Sequence, residues 1–429
     1  MTRVFYASTL FGAMSLAAAL DAGTFGDRSG RCVLIASNNV AAPEVYDGFV
    51  TSPAFEPLRS RFDEVVDWNE LIAPMHPSKW TPRAAEVPML SRLIRQRMGL
   101  EDGIDELVLE SIAVAPARTI GTLFAPSPIT VYSDGLMSYG PTRDDLPSAI
   151  GRRTERLLHF DLVPSLTPLL LHENEIVSEV LSEASFTKIV GELPAPEVGD
   201  AAGCPVIIGQ YLSQLGVLTP AEEISLHDDM LTGLVARGHR HVVFRPHPAA
   251  GRIHVRPLQE SADRRGIRLT VAADGLPAEA WFAVARPDLV VSCFSTALAT
   301  GARYFGTQVA TVGTGLLLER LTPYENSNRI PATIVDATVP ALRLDGTLVP
   351  PPVLDVAHLV RAVSYCMQPN RLFPLRDSAA AYVAANGPAR YFKKRRLQAV
   401  GFLPTPTSRS VTARRVVRVG RRVIASAQR

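Results

Sequence analysis

The feature that most constrains the fold is an alternation of short apolar segments with helix-like patterns along most of the chain. Short runs rich in Val, Ile and Leu predict buried strands, and strands that alternate with helices predict parallel sheets covered on both faces. At 429 residues the chain is too long for one ordinary hydrophobic core, so we expect two doubly wound α/β domains. The predicted strands are residues 4–7, 31–36, 107–111, 129–132, 205–209, 242–244, 267–271, 289–291 and 309–312.

A stretch rich in Pro and Gly divides the strands into two series. Residues 193–203 contain few bulky apolar side chains, a composition typical of a linker. The predicted units are an N-terminal domain over residues 1–196, a second domain over residues 204–370, a helical segment over residues 371–403 and a basic tail over residues 404–429. We expect the helical segment to pack back near the first domain.

The charges are distributed unevenly between the body of the chain and its C-terminal tail. Residues 390–429 carry 12 of the 44 Lys and Arg residues and no Asp or Glu, whereas the other 389 residues carry 32 basic and 42 acidic side chains. Valines and arginines alternate from residue 414 onward, so a helix there would place an apolar stripe beside a cationic face. This pattern favours an anionic membrane surface as a partner, with a disordered basic tail as the alternative. Because no aromatic residues are interleaved with these arginines, nucleic acid is not expected as a partner.

The cysteines and the N-terminal segment indicate a cytoplasmic protein. The four cysteines, Cys32, Cys204, Cys293 and Cys366, form no C-x-x-C pair, which fits a reducing compartment and disfavours a zinc cluster or a disulfide framework. Residues 4–20 are uncharged and resemble a signal peptide, but strand, helix and strand within about 35 residues fit a βαβ unit better. We therefore expect a cytoplasmic chain whose basic tail contacts the inner face of the plasma membrane.

His247 follows a short apolar strand that two prolines end. Proline has no N–H for a sheet ladder, so Pro246 and Pro248 terminate the strand over residues 242–244. The residue before a proline is held extended, which presents His247 just past the carboxyl end of the strand, where open α/β sheets bind ligands. There the imidazole can donate to a phosphate or transfer a proton near neutral pH. The alternative is a surface histidine in a turn.

Asp134 is a candidate general base at the end of another predicted strand. It lies in the sequence Ser133-Asp134-Gly135, directly after the strand over residues 129–132 and beside a glycine that permits a turn. A partly desolvated carboxylate at this position can take a proton from an acceptor hydroxyl. The alternative is an Asx turn in which Asp134 bonds its own backbone.

A third candidate lies where the strand over residues 289–291 runs into a helix. Ser295 and Thr296 would stand at the helix N-terminus, where free backbone N–H groups and the helix dipole favour an anion, and Ser292 precedes them at the strand end. The hydroxyls add donors for a phosphate. The alternative is ordinary N-capping, which serine and threonine perform in many helices.

Several other kinds of site are not expected. The sequence has no Walker P-loop, no complete G-x-G-x-x-G and no H-E-x-x-H. His239 and His241 would face the same side of a strand, but no third ligand is evident, so we expect no metal and no cofactor.

These stretches together resemble the bacterial polysialyltransferase (alpha-2,8-sialyltransferase) family and, more broadly, the bacterial sialyltransferases of GT-B fold. That group shares an acidic D/E-D/E-G motif in the N-terminal domain and His-Pro and Ser-Ser/Thr motifs in the C-terminal domain, to which residues 133–135, 247–248 and 295–296 are similar. Residues 5–10, 37–39 and 132–143 also look like its actinobacterial branch. The resemblance extends over residues 1–370 and does not include the basic tail.

The resemblance implies two Rossmann-like domains that face each other across a cleft. It further implies an inverting, metal-independent transfer of sialic acid from CMP-sialic acid to a hydroxyl of a glycan or glycolipid acceptor, as in capsule polysaccharide biosynthesis. By that resemblance Asp134 deprotonates the acceptor and His247, with Pro248 behind it, donates to the CMP phosphate. Ser295 and Thr296 would hold the same phosphate.

The sequence departs from the family motif at Ser133, which stands where the first acid is expected, so Asp134 is the motif's only carboxylate. Two other interpretations therefore remain. One is a teichoic-acid-type polymerase that moves a polyol phosphate from a CDP-activated donor; such enzymes carry a second catalytic His-Pro pair, for which His76-Pro77 is the only other candidate here. The other is a non-catalytic nucleotide- or glycan-binding protein of the same fold.

Overall fold

Two seven-stranded sheets make up the framework of the protein. In the computed structural model, residues 1–26, 30–247, 253–387 and 389–404 are described. The first sheet ends at residue 180 and the second begins at residue 206, so the stretch from 193 to 203 lies in the connection between the sheets.

The first sheet is parallel throughout. Its strands are β1 (Thr2–Ala7), β2 (Arg31–Ala36), β3 (Glu64–Asp67), β4 (Glu106–Glu110), β5 (Ile129–Ser133), β6 (Thr154–His159) and β7 (Val177–Val180). They lie in the order β3-β2-β1-β4-β5-β6-β7, so the direction of winding reverses between β1 and β4. In doubly wound sheets ligands bind beyond the carboxyl ends of the strands at this reversal, which here lies next to Ser8 and Glu110.

The second sheet repeats this strand order. Its strands are β8 (Val206–Ile208), β9 (His241–Arg245), β10 (Arg268–Val271), β11 (Val290–Ser292), β12 (Val309–Thr311), β13 (Ala341–Leu342) and β14 (Leu348–Val349). The order is β10-β9-β8-β11-β12-β13-β14, and all pairs are parallel except the last. The reversal between β8 and β11 places a second binding crevice near Tyr211 and Ser295. The prediction of two doubly wound α/β domains is therefore confirmed.

Helices cover both faces of the two sheets. In the first half they are α1 (Leu10–Asp21), α2 (Glu56–Arg59), α3 (Trp68–Ile72), α4 (Val87–Arg97), α5 (Ala117–Leu123), α6 (Ser148–Gly151) and α7 (Glu183–Glu192). In the second half they are α8 (Pro220–Ala236), α9 (Val255–Arg264), α10 (Ala278–Ala285), α11 (Thr296–Phe305), α12 (Thr314–Arg320), α13 (Arg329–Thr338), α14 (Val356–Met367), α15 (Arg376–Asn386) and α16 (Lys394–Ala399).

Strand β1 shows why these apolar segments form central strands. Side chains alternate across a strand, and in β1 Phe5 and Ala7 pack into one hydrophobic cluster while Val4 and Tyr6 pack into the cluster on the opposite face. All four side chains are at most 1% exposed, so the sheet is buried on both sides. A continuous apolar run is what such a strand requires.

Loops at the carboxyl edge of the first sheet contact the second domain. Arg303 in α11 forms ion pairs with Glu183 at 3.2 Å and with Asp161 at 3.9 Å. Phe160 and Tyr304 meet edge to face with their ring centroids 6.0 Å apart. These loops of the first domain are therefore held against the C-terminal end of α11.

The predicted helical segment over residues 371–403 contacts both domains. It contains two helices, α15 and α16, and Gly387 follows α15 with a positive φ of 70°. These helices lie against the second domain: α15 packs on α14, and the hydroxyl of Tyr324 donates to the Tyr391 carbonyl over 3.0 Å. Contact with the first domain comes from the chain before them, where Arg371 forms a 2.5 Å ion pair with Asp145.

Prolines determine where several helices begin and end. Residues 71–98 contain the end of α3 and all of α4, and the three prolines between these helices interrupt helical hydrogen bonding. Helix α13 was not expected because it contains Pro331, which the structure places in the first turn, where no N–H partner is lost. Strands β3 and β7 escaped notice because they are edge strands without a buried apolar run.

The basic tail lies outside the described residues from position 405 onward, and so does Pro248. None of the helices in the described parts of the chain is both long enough and apolar enough to cross a bilayer.

Candidate functional site

The first half of the site is formed by two carboxyls at the ends of neighbouring strands. Glu110 is the last residue of β4, and in the sheet register it lies opposite Tyr132 of β5. Asp134 follows β5 directly and is two residues beyond Tyr132. Both carboxyls are only partly exposed. The strand prediction was thus correct at Asp134, and the sheet register adds a second acid beside it.

Hydrogen bonds fix Glu110 in the crevice at the winding reversal. Its carboxyl accepts from the Ser8 amide over 3.0 Å, from the Ser8 hydroxyl, and from the Tyr132 hydroxyl over 3.0 Å. Helix α1 approaches closely, because a Cβ built on Gly12 would lie 2.8 Å from the Tyr132 oxygen and 3.0 Å from Glu110 Oε2. Only a glycine therefore fits at position 12 without displacing this group.

Burial and mutual repulsion shift the titration of these acids. Burial raises the pKa of Asp134 above its ordinary value. Burial together with the negative charge of Asp134 raises the pKa of Glu110 to about 7, against the opposing effect of the hydrogen bonds from Ser8 and Tyr132. The charge of Asp134 therefore opposes the ionisation of Glu110.

Gly135 is needed for space and not for its backbone freedom. Its φ of −148° and ψ of −175° are extended values that any residue adopts, so the expected glycine-permitted turn is corrected. A Cβ at this position would instead lie 3.0 Å from Thr296 Oγ1 in the second domain. The glycine allows the two domains to approach next to Asp134.

His247 lies where the sequence pattern predicted, just beyond the carboxyl end of β9. Its ring packs on Tyr211, with ring centroids 4.3 Å apart and an interplanar angle of 37°. Burial lowers the pKa of His247 to about 4, and the nearby charge of Glu223 opposes this shift. The imidazole is thus neutral near pH 7 in the free protein, which leaves one ring nitrogen to donate and the other to accept.

Glu223 anchors the loop that carries Tyr211. Its side chain has no exposed surface, and it accepts from the amides of Leu212 and Ser213, each over 2.8 Å. His254 approaches the same carboxyl at 3.2 Å. The tyrosine under His247 is therefore held by a buried carboxylate that no sequence motif indicated.

Ser295 and Thr296 stand at the N-terminus of α11, as predicted. Ser295 is the N-cap, and its hydroxyl oxygen accepts from the Ala297 amide over 3.2 Å. A hydroxyl that accepts in this way keeps its own proton to donate to a ligand. N-capping and phosphate binding are thus compatible here.

Ser292 does not join these hydroxyls, and its predicted contact with the donor is corrected. Its side chain is completely buried, and its hydroxyl donates to the Ile208 carbonyl over 2.9 Å. It therefore ties β11 to β8 beneath the crevice. The sequence could not reveal this, because burial at the strand end depends on the neighbouring strand.

The carboxyl half meets the second domain at the start of α11. Gly135 adjoins Thr296, and burial, with a smaller contribution from the charge of Asp134, raises the pKa of Glu279 in α10. His247 lies at the same edge of the second sheet, with the Tyr211 loop of β8 between it and β11. Glu110, Tyr211 and Glu279 were missed; the acid at the end of the predicted strand over residues 107–111 was the one visible clue.

The structure also describes His76 and the side chains that could bind a metal ion. His76 is held by its ring nitrogens to the Val40 carbonyl and the Ser78 hydroxyl, each over 3.0 Å. Across the described ranges, no three His, Cys, Asp or Glu side chains form a group suited to a metal ion.

Comparison with known families places this geometry in context. A family model described as Alpha-2,8-polysialyltransferase (POLYST) matches residues 3–314, a span that includes every described candidate residue. No curated protein sequence matches the chain.

Several solved structures are similar in fold at low identity. A sialyltransferase from Photobacterium damselae, in a structure of residues 113–497 that correspond to the GT-B domain, is 14% identical, with 78% of this chain and 96% of that chain covered and a TM-score of 0.40. A putative UDP-N-acetylglucosamine 2-epimerase from Listeria monocytogenes is 11% identical, with 86% and 97% covered and a TM-score of 0.47. MurG from Acinetobacter baumannii is 10% identical, with 88% and 94% covered and a TM-score of 0.41.

Proposed function

Because the chain belongs to the alpha-2,8-polysialyltransferase family, we propose that it transfers sialic acid, or a related ulosonic acid, from a CMP-activated donor to a glycan hydroxyl. Family membership makes the chain a glycosyltransferase with two Rossmann-like domains in the GT-B arrangement. The donor, the stereochemistry and the acceptor are the parts that we propose.

The observation that carries the proposal is the meeting of Asp134-Gly135 with Thr296. A Cβ added at Gly135 would lie only 3.0 Å from Thr296 Oγ1, so the backbone beside the proposed base of the first domain lies against the helix N-terminus of the second, where an anion is favoured. A transferase needs both elements at one substrate, with the acceptor on one side of the sugar and the leaving phosphate on the other.

Asp134 is suited to activate the acceptor. Its raised pKa makes it a stronger base than an exposed aspartate. In the proposed step the acceptor O–H gives its proton to an Asp134 oxygen, and the acceptor oxygen bonds to the anomeric carbon. The bond from that carbon to the CMP phosphate oxygen breaks and its electron pair leaves with CMP. Attack opposite to the leaving group inverts the anomeric configuration.

The second domain is suited to hold the leaving group. The free amides at the start of α11 and the hydroxyls of Ser295 and Thr296 would donate to the phosphate. An anion placed beside His247 would raise its pKa from about 4, so the imidazole would take up a proton and donate it to the departing oxygen. These donors would stabilise the developing charge, and we expect transfer to persist in excess EDTA.

The cellular setting is a proposal from family and composition. We propose a cytoplasmic enzyme of surface or capsule polysaccharide synthesis that acts on a glycan or glycolipid acceptor. The arginines after residue 408 would bind it to the inner face of the membrane. Cosedimentation with vesicles of anionic lipid, compared between the full chain and a chain ending at residue 404, tests the membrane part.

A donor screen tests the activity. CMP-sialic acid, CDP-glycerol and UDP-N-acetylglucosamine are each added to the protein, and the melting temperature and the release of nucleotide are measured. We expect CMP-sialic acid to raise the melting temperature and to be turned over. Stabilisation by CDP-glycerol alone would overturn the proposal in favour of polyol phosphate transfer. Binding of CMP-sialic acid without hydrolysis or transfer to any glycan would support a non-catalytic binding protein.

A further inference from the structure

Glu110 is a desolvated carboxyl beside the proposed base, and it belongs to none of the family motifs. It lies at the winding reversal of the first sheet, where doubly wound domains bind ligands. Three hydrogen bonds from Ser8 and Tyr132 hold it in one position.

The alternation of side chains explains why the second carboxyl comes from β4. Tyr132 donates to Glu110, so these two side chains share one face of the sheet. Ser133, the last residue of β5, belongs to the opposite face, whereas Asp134 follows the strand and its charge acts on Glu110. An acid at Ser133 would therefore point away from the group that Asp134 and Glu110 form.

We propose that Glu110 is the positioning carboxyl of the catalytic base, whose charge increases the affinity of Asp134 for the acceptor proton. This role rests on the proposed sugar transfer, since it assigns Asp134 as the base. When Glu110 is ionised, its negative charge makes proton uptake by Asp134 more favourable. When Asp134 takes the proton, the repulsion between the two carboxyls is relieved. The proton goes to Asp134 and no bond forms to Glu110.

The groups around Glu110 leave Asp134 as the charged group that acts on it. The titratable groups that face it are Tyr6 of β1, Tyr132 of β5 and Asp134, and burial raises the pKa values of both tyrosines so that they stay neutral. In the second domain the charge of Asp134 acts on Glu279, and Arg245, a cation that acts on the same carboxyl, is paired with Asp274 at 2.9 Å. With the pKa of Glu110 at about 7, its charge changes within the working pH range.

The test compares Glu110→Gln with a matched variant, Glu106→Gln. Both positions are in β4, but Glu106 is at the opposite end of the strand, in ion pairs with Arg3 and Arg156. The amide of Glu110→Gln can still accept from Ser8 while the charge is lost. The rate of transfer is measured between pH 5 and pH 9 for wild type and both variants. We expect wild type and Glu106→Gln to show a rise in activity centred near pH 7, and Glu110→Gln to lack it and to be about tenfold slower at pH 8. An unchanged pH profile in Glu110→Gln would overturn the proposal and leave sugar transfer intact.

A second measurement needs no activity. An acid whose pKa is higher in the folded than in the unfolded state destabilises the fold as pH rises from the unfolded pKa to the folded one. Without substrate, the free energy of unfolding of the wild type should therefore decrease as pH rises and level off near pH 7. Glu110→Gln should not show this decrease. In Asp134→Asn, which removes the neighbouring charge, this fall should end at a lower pH. If Asp134→Asn leaves it in place, the coupling proposed between the two carboxyls is wrong. If the fall moves but no sugar is transferred, the coupling stands and the proposed function fails.

Discussion

In the first domain the proposed reactive groups are carboxyls at the ends of β4 and β5, whereas in the second they are an imidazole beyond β9 and two hydroxyls at the start of α11. Burial acts on the two halves in opposite directions. It raises the pKa values of Asp134 and Glu110 and lowers that of His247, so both halves are driven towards their neutral forms. Burial therefore limits the charge of both halves in the free site. The donor phosphate would charge His247, whereas Asp134 must already be ionised when it takes the proton of the acceptor.

Replacement of Asp134 by Asn should have the largest effect, because it removes the base from the carboxyl half. We expect transfer to fall by about 10²–10⁴-fold, the usual contribution of a general base. The affinity for a CMP-sugar should change little, since the phosphate half is intact. Steady-state transfer and calorimetric donor binding measure the two quantities. A loss of donor affinity equal to the loss of rate would show that the halves do not have separate roles.

Replacement of His247 by Gln should impair the other half. We expect turnover to fall by about 10²-fold while donor affinity falls less, because the amide can donate a hydrogen bond but cannot deliver a proton. The rate of donor hydrolysis without acceptor should fall together with the rate of transfer. A variant impaired only in acceptor activation would keep its rate of donor hydrolysis. Hydrolysis at the wild-type rate would exclude His247 as the acid.

Gly12→Ala tests the close approach of α1 to the carboxyl half. Alanine normally stabilises a helix relative to glycine, but here a Cβ would lie 2.8 Å from the Tyr132 oxygen. We expect a loss of about 1–2 kcal/mol in the free energy of unfolding. The matched control is Gly191→Ala in α7, where nothing lies within 4 Å of a Cβ; there we expect a gain of about 0.5–1 kcal/mol. Urea unfolding measures both, and equal effects at the two positions would contradict the described packing.

Donor binding should take up a proton at His247. The free pKa is about 4 and the bound pKa is expected to be higher, so the bound state holds the proton more tightly. Affinity for an unreactive CMP-sialic acid analogue should therefore be greatest at low pH and fall by about fivefold between pH 5 and pH 7. The part of this pH dependence that is due to His247 is the difference between wild type and His247→Gln. An identical pH dependence in that variant would place the proton elsewhere.

The smallest effect is expected where the two halves touch. In Gly135→Ala the new Cβ would press on Thr296 Oγ1, which we expect to shift by a few tenths of an ångström and to weaken donor binding by about threefold. Combining it with Thr296→Ala removes the atom that is pressed. The two substitutions should then be non-additive, and strict additivity of their binding free energies would argue against contact between the domains at this point.

The sequence was informative where local pattern determines structure. The apolar run that ends at Pro246 predicted β9 and the place of His247, and Ser295 was recognised as the start of a helix. Sheet register was not predictable, because it depends on which strands become neighbours. Glu110 and the burial of Ser292 both follow from register. The need for glycine at position 135 depends on Thr296, a residue of the other domain.

A crystal structure with CMP and an unreactive sialic acid would test most directly whether the two halves serve one substrate. We predict that the phosphate oxygens lie within hydrogen-bonding distance, about 2.7–3.2 Å, of the Ser295 and Thr296 hydroxyls. His247 should adjoin the bridging oxygen, and Asp134 should lie on the opposite side of the anomeric carbon. A nucleotide bound away from α11, or a sugar that does not lie between His247 and Asp134, would contradict the account.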